Sequence, residues 1–147
     1  MREGMVRVEM ITEGRTITET DIVTFSYFTG DWTYLHSDRE AAEKSVFGER
    51  IAHGYLTLSV SLGLIIRSGA INKDLFISLK TIEHVKFLKP VKIGDTVKVA
   101  YSTTRRENDA GRISVTTDAK TINQKNETVM EFSTVHLERP ENVKKSD

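Results

Sequence analysis

Residues 54–67 read GYLTLSVSLGLIIR. Apolar side chains occupy nearly every face of a helix drawn over this stretch, which predicts a central helix, Gly54 to Arg67, that other structure covers on all sides. Its most apolar part, Leu56 to Ile66, is interrupted by polar residues and falls well short of the roughly 20 residues that span a bilayer. We therefore expect a buried helix in a soluble protein that has no membrane partner.

Strand patterns follow this helix. β-branched and alternating runs, separated by turn residues, predict strands over Phe76–Leu79, Ile82–Phe87, Thr96–Tyr101, Ile113–Thr117 and Thr128–Leu137. An N-terminal strand within Val6–Thr18 would complete the sheet.

Two shorter helices are predicted before the central one. The first covers about Glu19–Phe28, with Thr18 as its N-cap and Gly30 as a stop signal. The second covers Asp38–Lys44, with Ser37 or Asp38 as its cap. Helices followed by long antiparallel strands are typical of the α+β class. In this arrangement the sheet must wrap around the most apolar helix. A curved antiparallel sheet around one long central helix is the hotdog architecture. We expect one domain over residues 1–139 and a charged, disordered tail over residues 140–147.

The composition excludes several functional classes. Lys plus Arg and Asp plus Glu number 21 each, so no overall charge attracts nucleic acid or an acidic membrane surface. The chain has no cysteine, which excludes disulfides, thiolate nucleophiles and cysteine-bound metals. The N-terminus lacks the apolar core of a secretion signal, so we expect a cytoplasmic protein.

A carboxylate and an imidazole, Asp31 and His36, lie five positions apart. On a helix this spacing leaves them roughly 140° apart, and on a strand they face opposite sides. They converge on one site only if the segment is an irregular loop. The alternative is that Asp31 caps the preceding turn and His36 caps the next helix.

A second segment, His53-Gly54, leads into the central helix. Backbone N–H groups at a helix N-terminus lack intrahelical acceptors and carry the positive end of the dipole, so they can polarise a carbonyl. Gly54 has no side chain to block a ligand. The alternative is an ordinary helix start in which His53 is a packed or capping imidazole.

Together the two segments resemble the signature of the MaoC-like hydratase and dehydratase family, over Thr29–Leu64 and, more weakly, Phe87–Thr96. The resemblance implies that Asp31 and His36 are the catalytic pair, that Gly54 donates to the oxyanion, and that His53 and Ser59 contact substrate. One departure is that many active members carry Asn-Pro where this chain has Thr33-Tyr34.

The resemblance also implies the activity and the assembly. It implies reversible hydration of trans-2-enoyl-CoA to (R)-3-hydroxyacyl-CoA by a homodimer, without a metal or a cofactor other than the coenzyme A of the substrate. A hotdog thioesterase and a noncatalytic acyl-CoA-binding or assembly subunit are the rival functions. The remaining histidines, His84 and His136, have no neighbouring constellation in the sequence and are expected to be surface or packing residues. The sequence shows no phosphate loop, dinucleotide motif or metal-ligand spacing.

Overall fold

The computed structural model describes residues 7–141. In chain order the elements are β1 (Val8–Ile11), β2 (Arg15–Thr16), α1 (Glu19–Thr29), α2 (Tyr34–Ser37), α3 (Arg39–Glu43), α4 (Gly54–Arg67), β3 (Phe76–Phe87), β4 (Thr96–Glu107), β5 (Ile113–Ile122) and β6 (Thr128–Glu138). The strands form one antiparallel sheet in the order β1-β4-β5-β6-β3, and β2 pairs with β4. The predicted α+β class and hotdog architecture are confirmed.

The N-terminal strand is divided in two, whereas the sequence predicted one strand within Val6–Thr18. The division follows from Thr12, whose N–H donates to the Val99 carbonyl and whose Oγ1 accepts from the Val99 N–H, each at 2.9 Å. The side chain of Thr12 therefore replaces part of the strand ladder. Val6 lies outside the described residues.

Helix α1 begins and ends where the sequence predicted. Thr18 Oγ1 accepts from the Asp21 N–H at 3.2 Å, and Asp21 Oδ2 accepts from the Thr18 N–H at 2.8 Å, which is a capping box. Gly30 then ends the helix in the left-handed region, at φ 79°. The third helix, α3, is shorter than the predicted Asp38–Lys44, because Asp38 stands outside it as the N-cap.

Helix α4 packs on the inner face of the sheet, but it is not covered on all sides. Its buried side contacts the core residues Val97, Val99, Val129, Met130 and Phe132. On the opposite side Tyr55, Ser59 and Ile66 are exposed, and Tyr55 is 68% exposed. The expectation of a helix wrapped on every face is therefore wrong for the single chain. No helix within residues 7–141 is long and apolar enough to cross a bilayer.

Strand β3 is one edge strand, although its sequence indicated two short pieces. Its pairing with β6 shifts register three times, so alternation is interrupted. The shifts bring apolar side chains to the inner face at uneven intervals: Phe76, Leu79, Ile82 and Phe87 oppose Glu138, His136, Thr134 and Met130. At the last shift His84 adopts φ 55°. After β6, the Arg139 N–H donates to the Leu75 carbonyl at 2.8 Å, and the predicted tail is described only to Glu141.

Candidate active site

Asp31 lies between α1 and α2, immediately after the left-handed Gly30. Its Oδ1 accepts two hydrogen bonds from Thr33, from Oγ1 at 2.6 Å and from the backbone N–H at 3.1 Å. These bonds from the side chain and the backbone of Thr33 hold the pKa of Asp31 below its usual value. The carboxyl group is therefore ionised at neutral pH and can act as a base.

His36 lies in the short helix α2, so the segment from Asp31 to His36 is only partly the irregular loop that the sequence predicted. Its ring is buried, and Nδ1 lies 2.7 Å from the Ile51 carbonyl oxygen. Because a carbonyl can only accept, Nδ1 carries the proton. In the neutral ring Nε2 then has the lone pair, as a general base requires.

His53 is the fully buried residue that precedes α4. Its Nε2 lies 3.2 Å from the Asp31 carbonyl oxygen and 2.9 Å from Ser26 Oγ, so it is assigned as the N–H that donates to that carbonyl. Nδ1 is buried and has no hydrogen-bond partner among the described residues. Burial lowers the pKa of His53 and favours the neutral ring. The structure therefore places His53 behind Asp31 and His36, and not in the wall of the cavity as a substrate contact would be.

The three side chains form a cluster that no spacing in the sequence indicated. One carboxylate oxygen of Asp31 and one ring nitrogen each of His36 and His53 lie within 4.8 Å of one another. Two imidazoles and one carboxylate form a ligand set that can bind zinc or iron. The metal-free chemistry that the resemblance implied therefore remains a prediction, which a chelator tests.

A cavity of about 430 Å³ opens beside this cluster. Its wall includes Asp31, His36, Gly54, Thr57, Phe87 and Met130. Gly54 is the first residue of α4, so its N–H has no intrahelical acceptor and lies at the positive end of the dipole. The ring of Phe87 packs against Gly54, and a Cβ at this position would lie 2.8 Å from Phe87 Cε1. Glycine is therefore required here by the ring that closes over it.

The serine that the resemblance added to the site does not line this cavity. Ser59 is exposed, and its Oγ donates to the Tyr55 carbonyl at 2.8 Å. Thr57, two residues earlier, is buried and belongs to the cavity wall. Thr57 was not predicted, because the sequence does not distinguish a threonine that lines a cavity from one that only packs within an apolar helix.

His84 and His136 have different environments. His84 is exposed, as predicted for a surface residue. His136 is buried, and its Nε2 lies 2.9 Å from Oε1 of the fully buried Glu138, which also pairs with Arg105 at 2.5 Å. His136 is therefore a packed residue, one of the two alternatives that the sequence predicted, and its ion-pair partner Glu138, which lies two positions on in β6, also pairs with Arg105 of β4.

A larger groove, of about 800 Å³, lies on the outer face of the sheet. Residues of both charge signs line this groove, including Arg7, Lys120, Asp118 and Glu131. Asp118 Oδ1 accepts a hydrogen bond from Ser133 Oγ at 2.6 Å, so its carboxylate already has a partner on the surface of the sheet. We place the active site in the smaller cavity, because there a base, a buried imidazole and a free helix N-terminus meet.

Comparison with known proteins identifies the family of the chain. The sequence profile of the family described as MaoC like domain matches residues 7–125, which include the whole cluster. The chain belongs to the MaoC-like domain family. It is 40% identical over 97 residues to Protein MaoC of Klebsiella aerogenes, covering 66% of this chain and 28% of that protein.

Two further relatives are informative. The chain is 35% identical over 94 residues to an (R)-specific enoyl-CoA hydratase of Rhodospirillum rubrum, covering 61% of this chain and 60% of that enzyme. The solved structure of a monoamine oxidase regulatory protein from Archaeoglobus superposes with a TM-score of 0.86 at 34% identity, covering 92% of this chain and 91% of that one. This MaoC-like chain thus spans under a third of the Klebsiella protein and three fifths of the Rhodospirillum enzyme.

Proposed function

We propose that this MaoC-like protein catalyses the reversible hydration of trans-2-enoyl-CoA to (R)-3-hydroxyacyl-CoA. The observation that carries the proposal is the convergence, within 4.8 Å, of an Asp31 carboxylate oxygen with the imidazole nitrogens of His36 and His53. Asp31 and His36 lie in the wall of a cavity that also contains the free helix N-terminus at Gly54. A base, a proton donor and an electrophile are what hydration of an unsaturated thioester requires.

In the proposed mechanism one water molecule lies between Asp31 and His36, which each offer an atom within 4.8 Å of the other. A water that donates hydrogen bonds of about 2.8 Å to two acceptors bridges atoms that are roughly 4.5 Å apart. In the hydration direction the water oxygen bonds to the β-carbon as one of its protons passes to His36 Nε2 or Asp31. The electron pair of the double bond moves to the α-carbon, which is then protonated by the group that received the proton, so no proton is gained or lost.

The helix N-terminus supplies the electrophile. As water adds, negative charge develops on the thioester oxygen, and a backbone N–H at the positive end of α4 stabilises that charge. Conjugation to the thioester makes the β-carbon electrophilic, so the reaction needs no metal or further cofactor. Coenzyme A enters only as part of the substrate.

The substrate assignment rests on similarity. The Rhodospirillum relative bears the name of an (R)-specific enoyl-CoA hydratase, which supports an acyl-CoA substrate and the R configuration. We extend the proposal to a homodimer that works in the cytoplasm.

Purified protein incubated with crotonyl-CoA tests the reaction. Loss of the conjugated thioester absorbance without thiol release is expected, and Asp31→Asn should abolish it. Thiol release from the acyl-CoA would instead identify a thioesterase. Binding of crotonyl-CoA with neither change would identify a noncatalytic acyl-CoA-binding subunit. Turnover should persist after treatment with EDTA, and turnover that EDTA removes and zinc restores would contradict the metal-free mechanism.

A further inference from the structure

We propose that Thr33 is a positioning residue that orients the Asp31 carboxylate for the hydration reaction. The inference rests on the proposed function, since it assigns Thr33 a task in that reaction. Thr33 occupies the first position at which this chain departs from the Asn-Pro of many family members. Its hydroxyl and its backbone N–H both contact the carboxylate of Asp31.

Both donors of Thr33 point to the same oxygen. Asp31 Oδ1 accepts from Thr33 Oγ1 at 2.6 Å and from the Thr33 N–H at 3.1 Å. No donor within residues 7–141 bonds to the other oxygen, Oδ2. Thr33 therefore fixes the rotation of the carboxylate and leaves Oδ2 available to accept a proton from water.

The hydroxyl of Thr33 has no other evident task. Thr33 is the N-cap of α2, yet its side chain makes no capping hydrogen bond to that helix. The side chain is also exposed, so it contributes no core packing. The backbone is held separately, because Ser37 Oγ donates to the Trp32 carbonyl at 2.7 Å and lies 3.1 Å from the Thr33 carbonyl. Removing the hydroxyl should therefore leave the backbone N–H bond in place.

The charge state of Asp31 supports the same role. The hydrogen bond from the Thr33 side chain is the largest influence that lowers the pKa of Asp31, and the backbone bond is the next. A carboxylate that loses one such donor is more easily protonated. Loss of the hydroxyl should therefore disturb both the orientation and the ionisation of Asp31.

Two substitutions at Thr33 separate positioning from a structural effect. Thr33→Val keeps the shape of the side chain and removes the hydroxyl, whereas Thr33→Ser keeps the hydroxyl. We expect Thr33→Val to lower kcat for crotonyl-CoA hydration by about tenfold or more, because small misplacements of a reacting group cost up to about a hundredfold. KM should change less than about twofold, and the acid limb of the kcat/KM profile should move to higher pH. Thr33→Ser should recover most of the rate.

The control is Thr24→Val, the same change at an exposed position on α1, which should leave kcat and the pH profile unchanged. The melting temperatures of all three variants should match that of the wild type. A Thr33→Val enzyme with unchanged kcat and pH profile would overturn the inference, as would a Thr33→Ser enzyme that is equally impaired.

A measurement independent of turnover separates this inference from the proposed function. NMR titration of the ¹³C-labelled Asp31 carboxyl group should give a higher pKa in Thr33→Val than in the wild type or Thr33→Ser. If the wild type does not hydrate crotonyl-CoA, the proposed function fails and Thr33 loses its catalytic task, even if the titration shows that it holds the carboxylate. An unchanged titration in an active enzyme would overturn only the role of Thr33.

Discussion

The imidazole rings of His36 and His53 are stacked, with their centroids 3.9 Å apart and their planes inclined by 25°. The stack joins α2 to the start of α4, and so it fixes His36 relative to the helix N-terminus at Gly54. Two imidazolium ions at this distance would repel each other. Burial, and to a smaller extent the charge of His36, lowers the pKa of His53 and favours its neutral form.

Removing either member of the catalytic pair should abolish most of the activity. Asp31→Asn and His36→Ala should each lower kcat at least a hundredfold, because general acids and bases contribute about 10²–10⁴ in rate. The double variant should be scarcely worse, since both groups act on one water. Rates and melting temperatures measured on the same preparations distinguish catalysis from capping. If Asp31 and His36 are only caps, both variants will melt at lower temperature with near-normal kcat.

His53 should make stability depend on pH. Burial lowers its pKa in the folded protein below the ordinary histidine value of 6.5, so the unfolded chain binds a proton at a higher pH than the folded one. Stability should therefore be complete above about pH 6.5 and decline as the pH falls towards the lowered value. Urea unfolding at pH 7.5 and pH 5.5 should show a smaller difference in His53→Gln than in the wild type. The exposed His84→Gln is the control, and an equal difference in all three proteins would rule out His53 as the source.

Gly54 should tolerate no side chain. Gly54→Ala places a Cβ 2.8 Å from Phe87 Cε1, so the ring must move into the cavity or away from it, and we expect kcat to fall about tenfold or more. Gly63→Ala is the matched control, because nothing lies within 4 Å of that Cβ. It should stabilise α4 by about 0.5–1 kcal/mol without loss of activity. Phe87→Leu added to Gly54→Ala should recover part of the rate, and no recovery would show that the ring is not the obstacle.

Local signals accounted for the parts of the fold that the sequence predicted well. The capping box at Thr18 and Asp21 and the left-handed Gly30 depend on neighbours three or four residues away. Helix α4 has the predicted bounds, because its apolar run begins and ends at Gly54 and Arg67. The exposed side of that helix was not predicted, since hydrophobicity alone does not say which molecule covers a face.

Contacts between distant elements account for most of what the sequence did not show. His53 approaches Asp31 across 22 residues, and Arg105 approaches Glu138 across 33, so no local pattern could indicate either contact. The register shifts of β3 also obscured its inner face in the sequence, because inner-facing residues are separated by three or five positions and not by two. Thr33 is the exception, since it lies two residues from Asp31 and the Asp-x-Thr spacing is typical of a local turn.

Glu138 should matter for stability at neutral pH. Burial raises its pKa, but the hydrogen bonds from Arg105 and His136 outweigh that effect and lower the pKa below the ordinary glutamate value of 4.5. Its contribution should therefore be present above about pH 4.5 and lost as the pH falls through the lowered value. Glu138→Gln should cost about 2–4 kcal/mol at pH 7, somewhat less than a fully buried pair because Arg105 is half exposed.

Urea unfolding of wild type and Glu138→Gln at pH 7 and pH 3 measures this contribution. The difference between the two proteins should shrink at the lower pH. Glu83→Gln is the control on an exposed strand position, and it should change stability by less than about 0.5 kcal/mol. A Glu138→Gln penalty that is the same at both pH values would mean that packing, and not charge, explains the effect.

We expect the protein to form a dimer through the edge strand β3. One side of β3 has no strand partner within the described chain, and its inner-facing residues Leu79 and Ile82 are 50% and 40% exposed. The exposed side of α4 lies on the same inner side of the sheet, so pairing two β3 strands across a twofold axis would cover both surfaces. Light scattering at micromolar concentration should give the mass of two chains. Ile82→Glu should give monomers, because it places a charge in the covered apolar surface, whereas Thr81→Glu, on the outer face, should remain dimeric. A monomeric wild type would contradict the dimer, and two dimeric variants would show that the chains associate through another surface.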